Sequence, residues 1–450
     1  MSKDVKIRKG VNIKLKGIAE KRYSTAITTS DVVLKPTDFP GLIPKLSIKV
    51  GAKVKAGSPI FYNKENDKIM FTSPISGEVT AINRGEKRRI LEVVIKADGE
   101  NTFEPFQQGE PNAMSKEEIL DNMLKSGVWP FVRQRPFDII ADPMVAPKAI
   151  HITAFDSNPL APDYNFIMEG QGAAFQTGLD ALSKLTTGTV HLNIAGGANV
   201  DAAFSGAKNV QINKIHGPHP AGNVGIQLHH IDPVNKGEVV WTLNALDVLT
   251  IGKLFTTGKF DASRTIAVTG SKITSPSYVK TVLGATVATI LKGNLESDAR
   301  VISGNPLTGN NVGEKGSLGF YNYQITAIPA GGENRFMGWL PFIGFSGRSL
   351  SRTSLSFLSP NKPRDLDANI NGEERAFVMA GQYEKVFPMD IFPVHLVKSM
   401  IYQDIDLMEN LGVYEVAPED FALCEFACTS KIETQKIVRE ALDLVRKETT

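Results

Sequence analysis

The segment of residues 215–233 limits most strongly what this chain can fold into. It holds four of the seven histidines, together with three prolines and three glycines. Each proline fixes φ and lacks an N–H, and each glycine permits positive φ, so one regular element cannot run through the segment. We therefore predict an ordered, non-repetitive loop, of the kind that carries functional groups on a rigid scaffold.

Length and composition predict a soluble protein of several domains. The chain has 450 residues, which suggests roughly two to four domains. Its apolar content of 42% and charged content of 22% are those of a globular protein. A net charge of +2 provides no field that would favour nucleic acid or a membrane surface. Two cysteines, Cys424 and Cys428, cannot make a disulfide framework, which fits a reducing compartment.

The sequence shows no targeting or membrane-spanning segment. The N-terminus lacks the apolar run of a signal peptide. No window approaches the ~20 apolar residues that cross a bilayer, and the most apolar run, residues 338–345, contains a proline. Any work at a membrane should therefore be peripheral, through docking on other subunits.

Residues 1–102 alternate short apolar segments with turn residues, which predicts β structure. The glycine and proline spacing in residues 50–60 and 73–79 resembles the hammerhead of biotinyl and lipoyl domains. Residues 65–68 occupy the intervening hairpin, but the spacing from Lys68 to Pro74 is shorter than the spacing that follows the modified lysine in lipoyl domains. We therefore predict a structural barrel-sandwich module instead of a swinging arm.

Residues 103–258 alternate helix and strand patterns, which predicts a Rossmann-like α/β domain with sites at the carboxyl ends of its strands. Ser115 and Glu118 form a capping-box pattern at the start of a helix that Gly127 ends. Two strand patterns in this domain contain His151 and His191, which we interpret as packed core residues.

Residues 259–330 predict a small β-grasp module, similar to SLBB domains, with one helix over residues 276–291. Residues 331–450 predict a C-terminal region that is largely helical, with its clearest helices at 396–410 and 433–447. The predicted class is therefore a multidomain mixture of α/β and α+β structure.

The histidines at positions 216, 219, 229 and 230 have a spacing that can supply imidazoles to Zn²⁺. This spacing leaves a metal-dependent hydrolase open as one alternative. The segment offers no thiolate, its nearby acid is Asp232, and adjacent His229 and His230 would point apart on a strand. The simpler interpretation is an ordered loop whose imidazoles cap backbone groups or meet a partner, so we predict no metal site.

The sequence contains no dinucleotide fingerprint, no Walker loop and no nucleophile elbow. The nearest glycine-rich string, residues 170–175, has no strand leading directly into it. Cys424 and Cys428 form a Cys-x3-Cys pair, and two thiolates cannot hold an Fe–S cluster, which takes four ligands. The residues alone therefore predict no confident catalytic group.

Three long strings give the chain a resemblance to a known family: TAFDSNPLAPD at 153–163, HGPHPAGN at 216–223 and ERAFVMAGQYEKVFPMDI at 374–391. In these strings, and nearly end to end, the chain resembles the A subunit of Na⁺-translocating NADH:quinone oxidoreductases. The resemblance implies a translocase component, inactive alone, that takes part in electron transfer to quinone coupled to Na⁺ export. It also implies a peripheral position on the cytoplasmic face of the bacterial inner membrane, with membrane contact only through partner subunits.

That family is in turn similar to the C subunit of the Rnf complex and to the NADH-binding flavoprotein subunit of complex I. There a glycine-rich loop embraces FMN, whereas residues 127–137 here carry Trp, Phe and Pro in its place. The resemblance therefore implies that this chain binds no cofactor, and that partner subunits bind NADH, the flavins and the Fe–S centres. A flavin- and NADH-binding dehydrogenase subunit remains the alternative.

A quinone site requires an apolar, aromatic slot with a hydrogen-bond donor near each carbonyl. The candidates that the resemblance leads us to select are aromatic or cationic: Trp129, Phe131, Arg133, Arg135, Phe137, His216, His219, Trp339 and Phe342. The competing interpretation is core packing for the first aromatic group and a subunit interface for the apolar run around Trp339.

Overall fold

The computed structural model describes residues 2–24, 27, 29–197, 200–332, 347–350 and 355–449. Trp339 and Phe342 lie outside the described residues. The strands are β1 (Asp4–Lys6), β2 (Glu20–Tyr23), β3 (Asp31–Leu34), β4 (Pro44–Leu46), β5 (Lys53–Val54), β6 (Pro59–Asn63), β7 (Met70–Thr72), β8 (Gly77–Arg84), β9 (Ile90–Ala97), β10 (Arg133–Arg135), β11 (Ile139–Ile140), β12 (Ala149–Thr153), β13 (Thr189–Ala195), β14 (Gln211–His216), β15 (Val240–Asn244), β16 (Ser263–Thr269), β17 (Ser277–Val282), β18 (Ala299–Ser303), β19 (Asn310–Asn311) and β20 (Gln324–Pro329). The α-helices are α1 (Lys116–Ser126), α2 (Tyr164–Met168), α3 (Gly172–Leu185), α4 (Ala202–Ser205), α5 (Val224–Ile231), α6 (Ala245–Thr257), α7 (Val287–Ile290), α8 (Tyr383–Val386), α9 (Pro393–Tyr402), α10 (Ile405–Asn410), α11 (Ala422–Ala427) and α12 (Thr434–Thr449).

A seven-stranded sheet in the order β1-β14-β13-β12-β15-β10-β11 forms the α/β domain, which confirms the predicted Rossmann-like fold. The first five strands are parallel, and β10 and β11 are antiparallel at one edge. All five residues of β12 are buried, as expected for a central parallel strand. Helices α3 and α6 cross closely because Gly252 of α6 has no side chain. A Cβ at this position would lie 1.7 Å from the carbonyl oxygen of Ala174 in α3.

Two smaller sheets, β3-β9-β8-β5 and β4-β6-β7, make up the barrel-sandwich module as predicted. A mixed sheet in the order β19-β18-β20-β16-β17-β2 forms the third module. The helix predicted over residues 276–291 is wrong, because Ser277–Val282 is strand β17 and only Val287–Ile290 is helical. Its β-branched and aromatic residues suit a strand, and Gly284 at φ 75° ends the extended run.

The C-terminal region is helical, as predicted, and shares a core with helix α5 and the turn after β10. Phe137, Ile226, Phe421 and Leu442 belong to this one apolar cluster. The helix predicted over residues 396–410 is split into α9 and α10 at Gln403, which has φ 57°.

The loop predicted over residues 215–233 is wrong in its second half, which forms helix α5. The prolines stand at positions 218, 220 and 233, so they leave the stretch between them free to become helical. Pro233 lies just after the helix, where a proline is expected. His229 and His230 are consequently on a helix and not on a loop or strand.

Candidate functional site

The strand order of the central sheet reverses between β12 and β15, the position at which α/β folds commonly bind ligands. Both sides of this point are bonded to the six-stranded sheet. The Asp163 N–H donates to the Tyr278 hydroxyl at 2.7 Å, in the chain that follows β12. The Tyr323 hydroxyl donates to Asp247 Oδ1 at 2.6 Å, in the first turn after β15. The side chains of Tyr278 and Tyr323 thus occupy the position at which α/β folds commonly bind a dinucleotide or flavin.

Arg264 of β16 is the buried cation of this contact. Its guanidinium lies 3.9 Å from the Asp247 carboxylate, and its carbon lies 4.5 Å from the Tyr323 ring centroid and 5.5 Å from that of Phe131. Burial raises the pKa of Asp247 to about 6, while Arg264 opposes the rise. Phe131, one of the proposed quinone residues, is therefore packed beneath a cation and is 1% exposed.

Trp129 is also enclosed in the core. Its ring meets Trp241 edge-on at a centroid distance of 5.2 Å, and its Nε1 donates to the Ala141 carbonyl at 2.8 Å. Both the apolar and the polar parts of the indole therefore have partners inside the domain. A quinone would reach Trp129 or Phe131 only after the core had opened.

Arg135 is the centre of a buried ion network that joins the edge of the central sheet to the C-terminal region. Its guanidinium nitrogens lie 3.4 Å from a carboxylate oxygen of Asp420, 3.4 Å from one of Glu419 and 3.9 Å from one of Asp138. Arg133 pairs with the same Asp138. The side chains of Arg135 and Asp420 are fully excluded from solvent.

Burial and neighbouring charges separate the pKa values of the three carboxyl groups. Burial, assisted by the Asp420 carboxylate, raises the pKa of Glu419 to about 7. Burial also raises the pKa of Asp420, against the lowering effect of Arg135. For Asp138, burial is outweighed by Arg133 and Arg135, so its pKa is lowered. Of the three acids, Glu419 also has the most exposed side chain, at 33%.

The start of helix α5 lies directly against this network. Asn223 Nδ2 donates to the Glu419 carbonyl oxygen at 3.2 Å. A Cβ on Gly225 would lie 2.7 Å from the Asp420 carboxylate and 3.0 Å from a terminal nitrogen of Arg135. The close packing of helix α5 against Asp420 and Arg135 therefore requires glycine at position 225. Sequence reasoning missed Glu419 and Asp420, and the available signal was that a buried arginine needs a counter-charge.

The turn between β10 and β11 carries local backbone strain. Phe137 has φ 76° and Asp138 has φ 53°, a region that residues other than glycine rarely adopt. The ion pairs of Asp138 hold the turn in place. The Phe137 ring meets Tyr414 edge-on at 6.1 Å between centroids, so this aromatic faces the boundary between the sheet and the C-terminal region.

His216 and His219 have separate surroundings. His216 ends β14, and its Nε2 lies 3.2 Å from the Asp4 carboxylate. Ser157 Oγ accepts from the Gly222 N–H at 2.8 Å and shares a hydrogen bond of 3.0 Å with His219 Nδ1. Burial lowers the pKa of His219 to about 4, so the ring is neutral at pH 7 and fastens the loop to the chain after β12.

His229 and His230 both bond to the C-terminal region. His229 Nε2 accepts from the Asp390 N–H at 2.9 Å, so its Nδ1 carries the proton and donates to Glu415 at 2.6 Å. His230 Nε2 donates to the Pro388 carbonyl at 2.8 Å. Both nitrogens of His229 are thus engaged, and this geometry does not favour the zinc site that the histidine spacing allowed.

The structure instead brings together His151, His191 and Asp232, which sequence reasoning did not combine. His151 and His191 are register partners on β12 and β13, and their rings stack at 4.5 Å between centroids. Both are buried, as predicted for core residues. Asp232 follows α5, the helix that contacts β12. Only the strand register and the position of that helix reveal the group.

Cys424 lies within helix α11 and Cys428 follows its last residue; both are buried and free. Burial raises the pKa of Cys424 well above its ordinary value, which keeps it a thiol. Cys428 Sγ accepts from the Ile432 N–H at 3.4 Å. The pair thus has the surroundings of packed thiols, not of exposed thiolate ligands.

Three family models match the chain in succession: the NqrA N-terminal barrel-sandwich hybrid domain over residues 5–98, the NqrA second alpha/beta domain over 114–260 and the NQRA C-terminal domain over 265–314. The NqrA relative from Neisseria meningitidis serogroup B, the A subunit of a Na(+)-translocating NADH-quinone reductase, is 38% identical over 99% of this chain and 100% of its own length. The relatives of the same name from Hahella chejuensis and Pasteurella multocida are each 37% identical, again over 99% of this chain and 100% of their own lengths. The chain belongs to the NqrA family.

Membership of the NqrA family confirms the resemblance seen in the sequence strings and the order of the predicted modules. Among solved structures, the NAD⁺-reducing NiFe hydrogenase in the air-oxidized state matches 75% of this chain and 63% of its own, at 10% identity and a TM-score of 0.40. That similarity is too weak to support an inference. No described helix is both long and apolar enough to cross a membrane.

Proposed function

We propose that this chain is a peripheral component of a Na⁺-translocating NADH:quinone oxidoreductase and works at the end where quinone is reduced. The observation that carries the proposal is the 38% identity, over essentially the full length of both chains, to a relative of that name. The partners are then the other subunits of the complex and quinone. Docking on those subunits would hold the chain at the cytoplasmic face of the bacterial inner membrane.

Flavins, Fe–S centres and NADH belong, in this proposal, to partner subunits. Three features of this chain support the assignment. The switch point of the sheet is bonded to another module through Asp163 and Asp247. The aromatic segment that replaces a glycine-rich flavin loop is packed through Trp129. The two cysteines are too few to hold a cluster.

The purified full-length chain tests this part directly. We expect its visible absorption spectrum to lack flavin bands and its iron content to be far below one atom per chain. A yellow preparation with about one FMN per chain would contradict the proposal and favour the dehydrogenase alternative.

We place the quinone contact, as part of this proposal, at the strained turn after β10. Arg133 supplies N–H donors from a side chain that is 27% exposed, and the ring of Phe137, which is only 7% exposed, would be reached by parting its contact with Tyr414. Quinone reduction takes two electrons and two protons. Centres in partner subunits supply the electrons, and Glu419, with a pKa of about 7, is suited to pass on protons drawn from solvent. His216, which pairs with Asp4, and His219, which bonds to Ser157, are assigned to holding the shape of residues 217–223.

Photo-crosslinking of the intact complex with an azido-quinone tests the placement. We expect labelled peptides from residues 127–137 or 413–421 and reduced labelling in Phe137→Ala. Phe357→Ala is the matched control, because Phe357 is an exposed phenylalanine, at 47%, outside both this turn and helices α9 and α10. Labelling confined to distant peptides, or equal labelling in both variants, would refute the placement.

Helices α9 and α10 present the face that we assign to contact with another component of the complex. Four large apolar side chains stand exposed there: Phe392 at 68%, Ile401 at 47%, Tyr402 at 81% and Leu407 at 43%. A surface groove of about 350 Å³ runs between the two helices. Several large exposed apolar side chains on two neighbouring helices favour a protein contact over open solvent.

A further inference from the structure

We propose that His151, His191 and Asp232 bind a borderline divalent cation of the Zn²⁺ class. The site lies under the end of helix α5, away from the turn assigned to quinone. It is independent of the proposed quinone function, since it uses none of the same residues.

Three elements of the fold bring the ligands together. His151 and His191 occupy matching positions on the adjacent parallel strands β12 and β13. Asp232 is the residue that ends α5, the helix that packs against β12. One ligand atom of each residue lies within 4.8 Å of the other two. Tetrahedral Zn²⁺ places its ligand atoms about 3.3 Å apart, so rotation of the stacked rings about their side-chain bonds must close the remaining gap.

The ring of His151 is buried without hydrogen-bond partners in the part of the chain that the structure describes, and a bound cation would supply one. The residue is 0% exposed, and neither of its ring nitrogens has a hydrogen-bond partner among the described residues. Buried polar atoms normally have partners, and leaving one unpaired costs about 1–3 kcal/mol. A bound cation would give one of these nitrogens a strong partner.

Lys148 already pairs with the Asp232 carboxylate and would compete with a cation for it. Its Nζ lies 3.0 Å from Asp232, but it also lies 2.7 Å from Glu238 and donates to the Pro233 carbonyl at 2.9 Å. The ammonium therefore keeps two partners when Asp232 turns to a cation. Asp232 is 36% exposed at its side chain, which gives the cation a route from solvent.

The donor set selects the class of metal. Two imidazoles and one carboxylate suit Zn²⁺ and similar transition metals, with water in the fourth position. Mg²⁺ and Ca²⁺ prefer sites made of oxygen ligands, so neither should compete here.

The test is Zn²⁺ binding to the full-length chain by equilibrium dialysis, with Co²⁺ absorption as a reporter of nitrogen coordination. We expect one Zn²⁺ per chain. Asp232→Asn and His191→Gln should each weaken binding by about 100-fold, since losing a ligand costs at least as much as losing the hydrogen-bond partner of a ligand. Lys148→Met should tighten binding about 10-fold, because it removes both a competitor and a nearby positive charge.

His395→Gln is the matched control, because His395 is an exposed histidine on α9 and its loss should leave the affinity unchanged. Circular dichroism checks that each variant is folded. If His191→Gln unfolds, Asp232→Asn and Lys148→Met decide the matter, since both positions are partly exposed. The proposal is overturned if the wild-type chain binds no stoichiometric Zn²⁺, or if Asp232→Asn and Lys148→Met both bind it with wild-type affinity.

Discussion

Arg135 and Asp420 lie 285 positions apart in the chain, yet their side chains face each other at 3.4 Å with no access to solvent. The pair fixes the C-terminal region against the edge of the central sheet. At that distance their one hydrogen bond is long, and two desolvated charges contribute little net stability unless their geometry is ideal. We infer that the pair acts mainly by specifying where the region docks, since either charge left alone would be penalised.

Asp420→Ala should therefore be strongly destabilising. It leaves the Arg135 guanidinium buried with only Glu419 and Asp138 near it. Breaking a buried ion pair from one side typically costs about 3–5 kcal/mol. The free energy of unfolding, measured with urea, should fall by that amount. Glu433→Ala, which removes an exposed pair with Lys436, should cost less than about 1 kcal/mol. Equal losses in the two variants would argue against the assigned role of the network.

Glu419 should make stability depend on pH near neutrality. Its folded pKa of about 7 is above the ordinary value of 4.5, so the folded chain holds more protons than the unfolded chain between these values. This contribution is therefore full below pH 4.5 and is lost as the pH rises through 7. Glu419→Gln keeps the neutral form and should be more stable than wild type at pH 8 by about 1–2 kcal/mol, after allowance for partial exposure. Urea titrations at pH 5 and pH 8 measure the difference, and a gap that does not change with pH would refute the assignment.

Tyr402→Asp should weaken assembly without affecting the fold of this chain. The side chain is 81% exposed, so a charge there costs the isolated chain little. A charge buried against a partner protein is expensive, and we expect about a 10-fold or greater loss of complex recovered after co-expression. Met144→Asp is the control, because Met144 is also exposed, at 75%, but lies far from α9 in sequence, after β11. Normal recovery of the Tyr402→Asp complex would show that α9 does not face a partner.

Local signals in the sequence predicted local structure correctly. Ser115 Oγ accepts from the Glu118 N–H at 3.2 Å, and Gly127 at φ 83° ends the helix. These contacts join residues a few positions apart, so a short stretch of sequence contains every residue that determines them. Helix α5 escapes prediction because its flanking prolines dominate the pattern, although the stretch between them is free of proline. Segment 276–291 resembles a helix because short apolar runs fit either period.

The site residues depend on contacts between residues that are far apart in sequence, which no short stretch of sequence reveals. Arg135 needs a counter-charge, but which acid supplies it is decided only when the C-terminal region docks. His151 and His191 each have the pattern of a core residue in its own strand, and only the register of β12 with β13 brings them together. Asp232 lies close in sequence to His229 and His230. The histidines beside it in the structure are instead His151 and His191, which come from strands β12 and β13.

Gly225→Ala should destabilise the protein, against the usual preference of helices for alanine. In a helix interior, Gly to Ala normally stabilises by about 0.5–1 kcal/mol. At Gly225 the new Cβ would lie 2.7 Å from both carboxylate oxygens of Asp420, which would push that group away from Arg135. We expect a loss of about 2 kcal/mol or more in the free energy of unfolding. Gly172→Ala, at the start of α3, is the control: its Cβ would meet the Ala203 Cβ at an ordinary 3.4 Å, so stability should stay level or rise. If Gly225→Ala were as stable as Gly172→Ala, helix α5 would not be pressed against the ion network, and the network could not depend on this helix for its enclosure.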